Sequence, residues 1–111
     1  MSIEQTDKID IISTGKNGRI VLTISDHLEW DDKGEHALLM EDKINAYLHF
    51  IETGQVLEEY PDAKGKRVVI SIIMKHFPNE DGLLFLRHCQ EIVHNLGYKL
   101  EWNNPVSSKK P

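Results

Sequence analysis

The densest group of side chains able to do chemistry is the run Ser25-Asp26-His27-Leu28-Glu29-Trp30-Asp31-Asp32. A histidine beside carboxylates can act as a general base or a metal ligand, because imidazole titrates near neutrality and both ring nitrogens coordinate well. In this reading Asp26, His27 and Trp30 join His76, which follows a later apolar run, to line a pocket. The imidazole of His27 or His76 is the base or ligand, an aspartate orients it, and Trp30 is an apolar wall for a small molecule. The same residues also have structural duties. Asp26 can end a strand, Asp31 or Asp32 can cap a helix, and Trp30 can plug the end of a sheet. These duties need no further assumption, so the sequence favours them.

Other chemistries find less. His27, Asp31 and His36 are metal-ligand types without a recognised spacing, and no H-E-x-x-H occurs. No metal and no cofactor is expected. Cys89 falls on an apolar helical stripe, where a thiol behaves as a small core hydrophobe. There is no G-x-S-x-G elbow, and the glycines at 15, 18, 54, 65, 82 and 97 are spread as turn, cap and helix residues, not grouped as a phosphate loop. His49, His88 and His94 read as solvated residues on polar helix faces. No catalytic residue is identified, and the reading leans away from an enzyme.

The elements that must position these residues follow from periodicity. Ile9 to Ile12 and Arg19 to Ser25 are β-branched runs separated by Thr14-Gly15-Lys16-Asn17-Gly18, a hairpin signal with a three-to-five-residue loop. In the second run Ile20, Leu22 and Ile24 alternate with Val21, Thr23 and Ser25. Asp32 with Glu35 fits a capping box, and Ala37, Met40, Ile44, Tyr47, Leu48 and Ile51 form a helical stripe that Gly54 closes. Glu41, Asp42, Lys43, Asn45, His49 and Glu52 then face water. Gln55 to Lys66 reads as a connection with one helical turn. Val68 to Met74 suits a strand buried on both faces. Asn79 caps a second helix with the stripe Phe85, Leu86, Cys89, Ile92, Val93 and Leu96, ended by Gly97, and Tyr98 to Trp102 alternates as a last strand.

The expected fold is therefore α/β (α+β): a two-layer sandwich, β-β-α-β-α-β, with a four-stranded mixed sheet in the order 1-2-3-4. Two right-handed crossovers place both helices, at about 33–53 and 80–96, on one face of the sheet. The weak point is the 55–66 connection, which could instead carry strand 3 into an antiparallel or ferredoxin-like arrangement. The strand ends Asp26-His27, His76-Phe77 and Asn103-Asn104 would share the carboxyl edge, where open sheets gather ligands, beside two helix N-termini. The other sheet face, bearing Asp10, Val21, Thr23, Val69, Ser71, Ile73, Lys99 and Glu101, is left open to a partner.

Composition bounds the function. A chain of 111 residues, 40% hydrophobic and 28% charged, makes one domain, expected over 1–104 with a flexible tail at 105–111. The net charge of −5 disfavours nucleic acid, and the basic end Ser107-Ser108-Lys109-Lys110-Pro111 reads as frayed. No run approaches a membrane span, the first residues lack a signal-peptide pattern, and one cysteine suits a reducing compartment, so the cytoplasm is expected. The leading expectation is a protein-binding module without catalytic activity. It would be homodimeric through the open sheet face, or immunity-like in blocking a toxin. The competing expectation is the small-molecule pocket or enzyme at the carboxyl edge.

The stretches Lys8-Ile9-Asp10, Leu22 to Asp31, Lys43 to Leu48 and Glu59-Tyr60-Pro61-Asp62-Ala63 together resemble a family of small bacterial proteins known only as a domain of unknown function. The resemblance spans most of the chain, and Ser25 to Asp31 is its most specific piece. It implies a bacterial cytoplasmic origin and a free-standing domain, and it transfers no catalytic residue.

Overall fold

A computed structural model describes residues 11–15, 18–31 and 34–103. The elements are β1 (Ile11–Thr14), β2 (Ile20–Asp26), α1 (Glu35–Glu52), α2 (Gln55–Glu59), a 3-10 turn (Pro61–Ala63), β3 (Val68–Met74), α3 (Glu80–Asn95) and β4 (Lys99–Trp102). The sheet has the order β1-β2-β3-β4, with β1 antiparallel to β2 and the other two pairs parallel. This is the expected α/β arrangement with β3 an inner strand, and because β3 runs parallel to β2 the antiparallel alternative for the 55–66 connection falls away. That connection instead holds α2 and the 3-10 turn, and Tyr60 ties it back to the first hairpin through a 2.9 Å hydroxyl contact with Thr14.

Register explains the core. Ile20, Leu22 and Ile24 lie opposite Val68, Ile70 and Ile72, and Ile70 lies opposite Leu100. Partners in register point the same way, so these seven side chains form one apolar sheet face, every one buried. Met40, Ile44, Tyr47, Leu48 and Ile51 from α1 and Leu86, Cys89 and Val93 from α3 complete that core. Each such side chain removed from water contributes about 1.5–3 kcal/mol before the entropy of ordering is subtracted. The two helices lie side by side, because residues of both line one groove.

The opposite sheet face is more closed than its sequence pattern implies. Val69, at its centre, is fully buried. Arg19, just before β2, reaches Glu101 on β4 at 3.8 Å, and β3 lies between those two strands. The arginine stem is thus drawn over β3, as amphipathic side chains commonly cover apolar surface. Ile73 remains 49% exposed on this face. Asp10 and the 105–111 tail lie outside the described residues.

Two details of α1 correct the sequence reading. Its N-cap is Gly34, at φ 78°, with no side-chain cap, so the helix does not begin on an Asp32–Glu35 capping box; Asp32 is outside the described residues. Lys43, expected in water, is completely buried, with its ammonium 5.6 Å from the centre of the Tyr47 ring. A polar residue type hides a four-carbon apolar stem, and an aromatic face attracts the charge at its end. His36, Lys43 and Phe50, spaced by seven, form a further buried row that widens the buried arc of α1. The second helix begins and ends as its sequence indicates: the Asn79 side chain accepts the Gly82 N–H, and Gly97 follows the C-cap at φ 96°.

Candidate functional site

The carboxyl edge of the sheet is organised around a buried histidine. Asp26, last in β2, shares the parity of Ile20, Leu22 and Ile24 and therefore turns inward, where it is 3% exposed. Its Oδ1 accepts the Leu28 N–H at 3.1 Å, a turn that aspartate side chains commonly form two residues on. Its Oδ2 lies 2.7 Å from Nε2 of His36, in the first turn of α1. The other ring nitrogen, Nδ1, is 3.1 Å from the Glu29 carbonyl oxygen. A carbonyl accepts and never donates, so Nδ1 is the donor to Glu29, and Nε2 is the nitrogen that meets the Asp26 carboxyl. The indole of Trp30 stacks on this imidazole with centroids 3.8 Å apart.

A third element closes the cluster. A Cβ at Gly82, in the first turn of α3, would lie 2.6 Å from Cε3 of Trp30, so the indole packs directly on helix backbone. Trp30 thus bridges the starts of both helices. Asp31 completes the edge by accepting the N–H groups of Glu35 at 3.3 Å and His36 at 3.2 Å, so it does the capping from outside the N-cap position. Those bonds, the one to the His36 N–H foremost, hold the Asp31 carboxyl below its ordinary value of 3.8. A carboxylate with a lowered folded-state pKa stabilises the fold above its unfolded value. That contribution is lost as pH falls below 3.8 and through the folded value.

Gly82 gives a test with opposing terms. Alanine normally stabilises a helix by about 1 kcal/mol over glycine. Here the added methyl meets a rigid ring, and overpacking of this kind costs about 1–3 kcal/mol. Gly82→Ala is therefore expected to lower stability in chemical denaturation. It should also shift Trp30 emission in the folded protein, and a stabilised variant with unchanged emission would contradict the contact.

The structure brings Asp26 and Trp30 together, but through His36. His27 is exposed and His76 half-buried. Sequence reasoning weighed His36 as a metal-ligand type and not as Asp26's partner. The available signal was position: a strand-ending aspartate of core parity, with a histidine ten residues on at a helix start. With both nitrogens engaged and its side chain 2% exposed, His36 is placed to hold three chain segments together. Asn103, also at this edge, is engaged in the sheet: its amide accepts the Met74 N–H at 2.7 Å and donates to the Met74 carbonyl at 3.1 Å. Among the described residues no group of three or more His, Cys, Asp or Glu could hold a metal ion.

A second feature lies on the helical layer. Glu41, Ile44, Asn45 and Leu48 of α1 face Phe85, His88, Cys89, Ile92 and Val93 of α3 across a groove of about 80 Å³. Cys89 is buried there, and loss of solvation, assisted by nearby Glu41, pushes its thiol from 9.0 up to about 11. Ile92, on the groove wall, is nonetheless well exposed, as are Leu84 of α3 and its C-cap residue Leu96. His49, His88 and His94 are all exposed, as their polar helix faces indicate. No described helix is long and apolar enough to cross a membrane.

The model of a family of unknown function, DUF6572, matches residues 1–106, and the chain belongs to that family. No curated protein and no solved structure matches it.

Proposed function

We propose that this family member acts by binding another protein, without catalysis, and that the outer flank of α3 makes the contact. The observation that carries this reading is the exposure of large apolar side chains there: Leu84 at 63%, Ile92 at 44% and Leu96 at 44%. A domain gains nothing by leaving three such residues in water along one helix and its C-cap, whereas a partner that covers them gains their burial. They also adjoin the groove lined by Ile44, Leu48 and Phe85, which extends the apolar surface towards α1. The sheet face, where Ile73 is half-exposed, is a second and smaller contact surface. The competing small-molecule reading draws less support, because Asp26 and Trp30 are both engaged with His36.

A second copy of the chain is the simplest partner and can be tested first. Sedimentation velocity over a wide concentration range is expected to show self-association that Ile92→Glu abolishes without changing the circular dichroism. If the protein stays monomeric, cross-linked capture from the source cell with wild-type and Ile92→Glu baits should recover a protein that the variant loses. A monomer whose two baits recover the same proteins would end the proposal.

A further inference from the structure

At the amino edge of the parallel strands, opposite the histidine cluster, the chain gathers basic side chains. Arg67 directly precedes β3, Lys99 opens β4, and His94 stands in the last turn of α3. With Gly97 and Tyr98 they line a cleft of about 250 Å³ in which no acidic residue takes part among the described residues. In a chain of net charge −5 this concentration is unexpected.

Local structure accounts for part of it. A histidine near a helix C-terminus complements the helix dipole, but Arg67 and Lys99 belong to the strands. Three of the last carbonyls of α3 are already satisfied by backbone: Ile92 and Val93 accept from Leu96, Val93 also accepts from Tyr98, and His94 accepts from Gly97. No cation is needed to cap them. The nearest compensating carboxylate, Glu101, lies 4.0 Å from Lys99 and is shared with Arg19 at 3.8 Å. Arg67 and His94 face the cleft without a carboxylate on its walls.

We propose that this cleft binds a small molecule through a phosphate group. The planar guanidinium of Arg67 matches two oxygens of a tetrahedral oxyanion, Lys99 adds a point charge, and His94 a further donor. Half-buried Tyr98 offers a ring for the organic part of the ligand. An arginine and a lysine on one cleft suit a phosphate dianion better than a single carboxylate, which one arginine already neutralises. This site is independent of the α3 contact surface, so either can fail alone.

The test is an amide-resolved NMR titration of the full chain with inorganic phosphate, against sodium chloride and sodium acetate at matched ionic strength. Saturable shifts are expected at Arg67, Gly97, Tyr98 and Lys99 with phosphate alone. Arg67→Gln and Lys99→Gln should each weaken binding at least about tenfold, as loss of a charge-assisted bond implies, while keeping the wild-type melting curve, since both side chains are exposed. Shifts that do not saturate, that chloride reproduces, or that survive both substitutions would overturn the proposal.

Discussion

Replacing His36 with alanine is expected to lower the free energy of unfolding by about 3–5 kcal/mol, the range found when one partner of a buried acid–base contact is removed and the other is left without its bond. The residue left behind is Asp26, 3% exposed, whose Oδ2 has the 2.7 Å bond to His36 as its described partner. Domains of this size are stable by about 5–15 kcal/mol in total, so the variant should unfold at a far lower urea concentration than wild type. Asp26→Ala should cost a similar amount by stranding the imidazole. The double variant Asp26→Leu/His36→Leu separates the pair's net contribution from the penalty of breaking it, because well-packed apolar replacements of a buried pair are often neutral or better. It is expected to recover most of the lost stability. A His36→Ala variant within about 1 kcal/mol of wild type, well below the cost of breaking a buried pair, would show that the pair does not tie β2 to α1.

Cys89 gives the second large effect, read as a rate. A thiol raised from 9.0 to about 11 holds about a hundredfold less thiolate at pH 8 than an unperturbed one, and the thiolate is the reactive species. Alkylation of the native protein should therefore be at least about 100-fold slower than in denaturant, with burial adding to the difference. Linkage gives the matching stability effect. A folded-state pKa above the unfolded value contributes stability that is complete below pH 9 and is lost as pH rises towards 11. Native-state alkylation at the denatured rate would place Cys89 on the surface and remove the thiol from the floor of the α1–α3 groove.

The fold was legible because its main signals are strong and mutually consistent. Ile20, Leu22 and Ile24 alternate, Val68 to Met74 is nearly continuous in apolar residues, and each helix stripe ends at a glycine that takes positive φ. Together with the right-handed crossover rule these leave few topologies. The site was legible in its location and not in its wiring. Periodicity assigns a residue to core or solvent by type, so it sent Lys43 to the surface and had no place for His36. Burial of His36 depends on Asp26, a partner brought by another segment, whereas Lys43 is buried beside Tyr47 four residues on in the same helix, a contact that a polar residue type does not announce. Asp31 shows the same limit, since its capping role is fixed by a loop that lets it reach N–H groups four and five residues on.

The packing of Trp30 against Gly82 has a consequence for how this family can vary. An indole against bare helix backbone makes positions 30 and 82 a single unit of inheritance, although they are 52 residues apart in the chain. A relative that gains a side chain at 82 must give up ring volume at 30, and with it the stack that shields His36. The pair should therefore change together, glycine with tryptophan or a larger residue with a smaller one. Chains that have lost the indole should also be those in which the histidine and aspartate have become apolar.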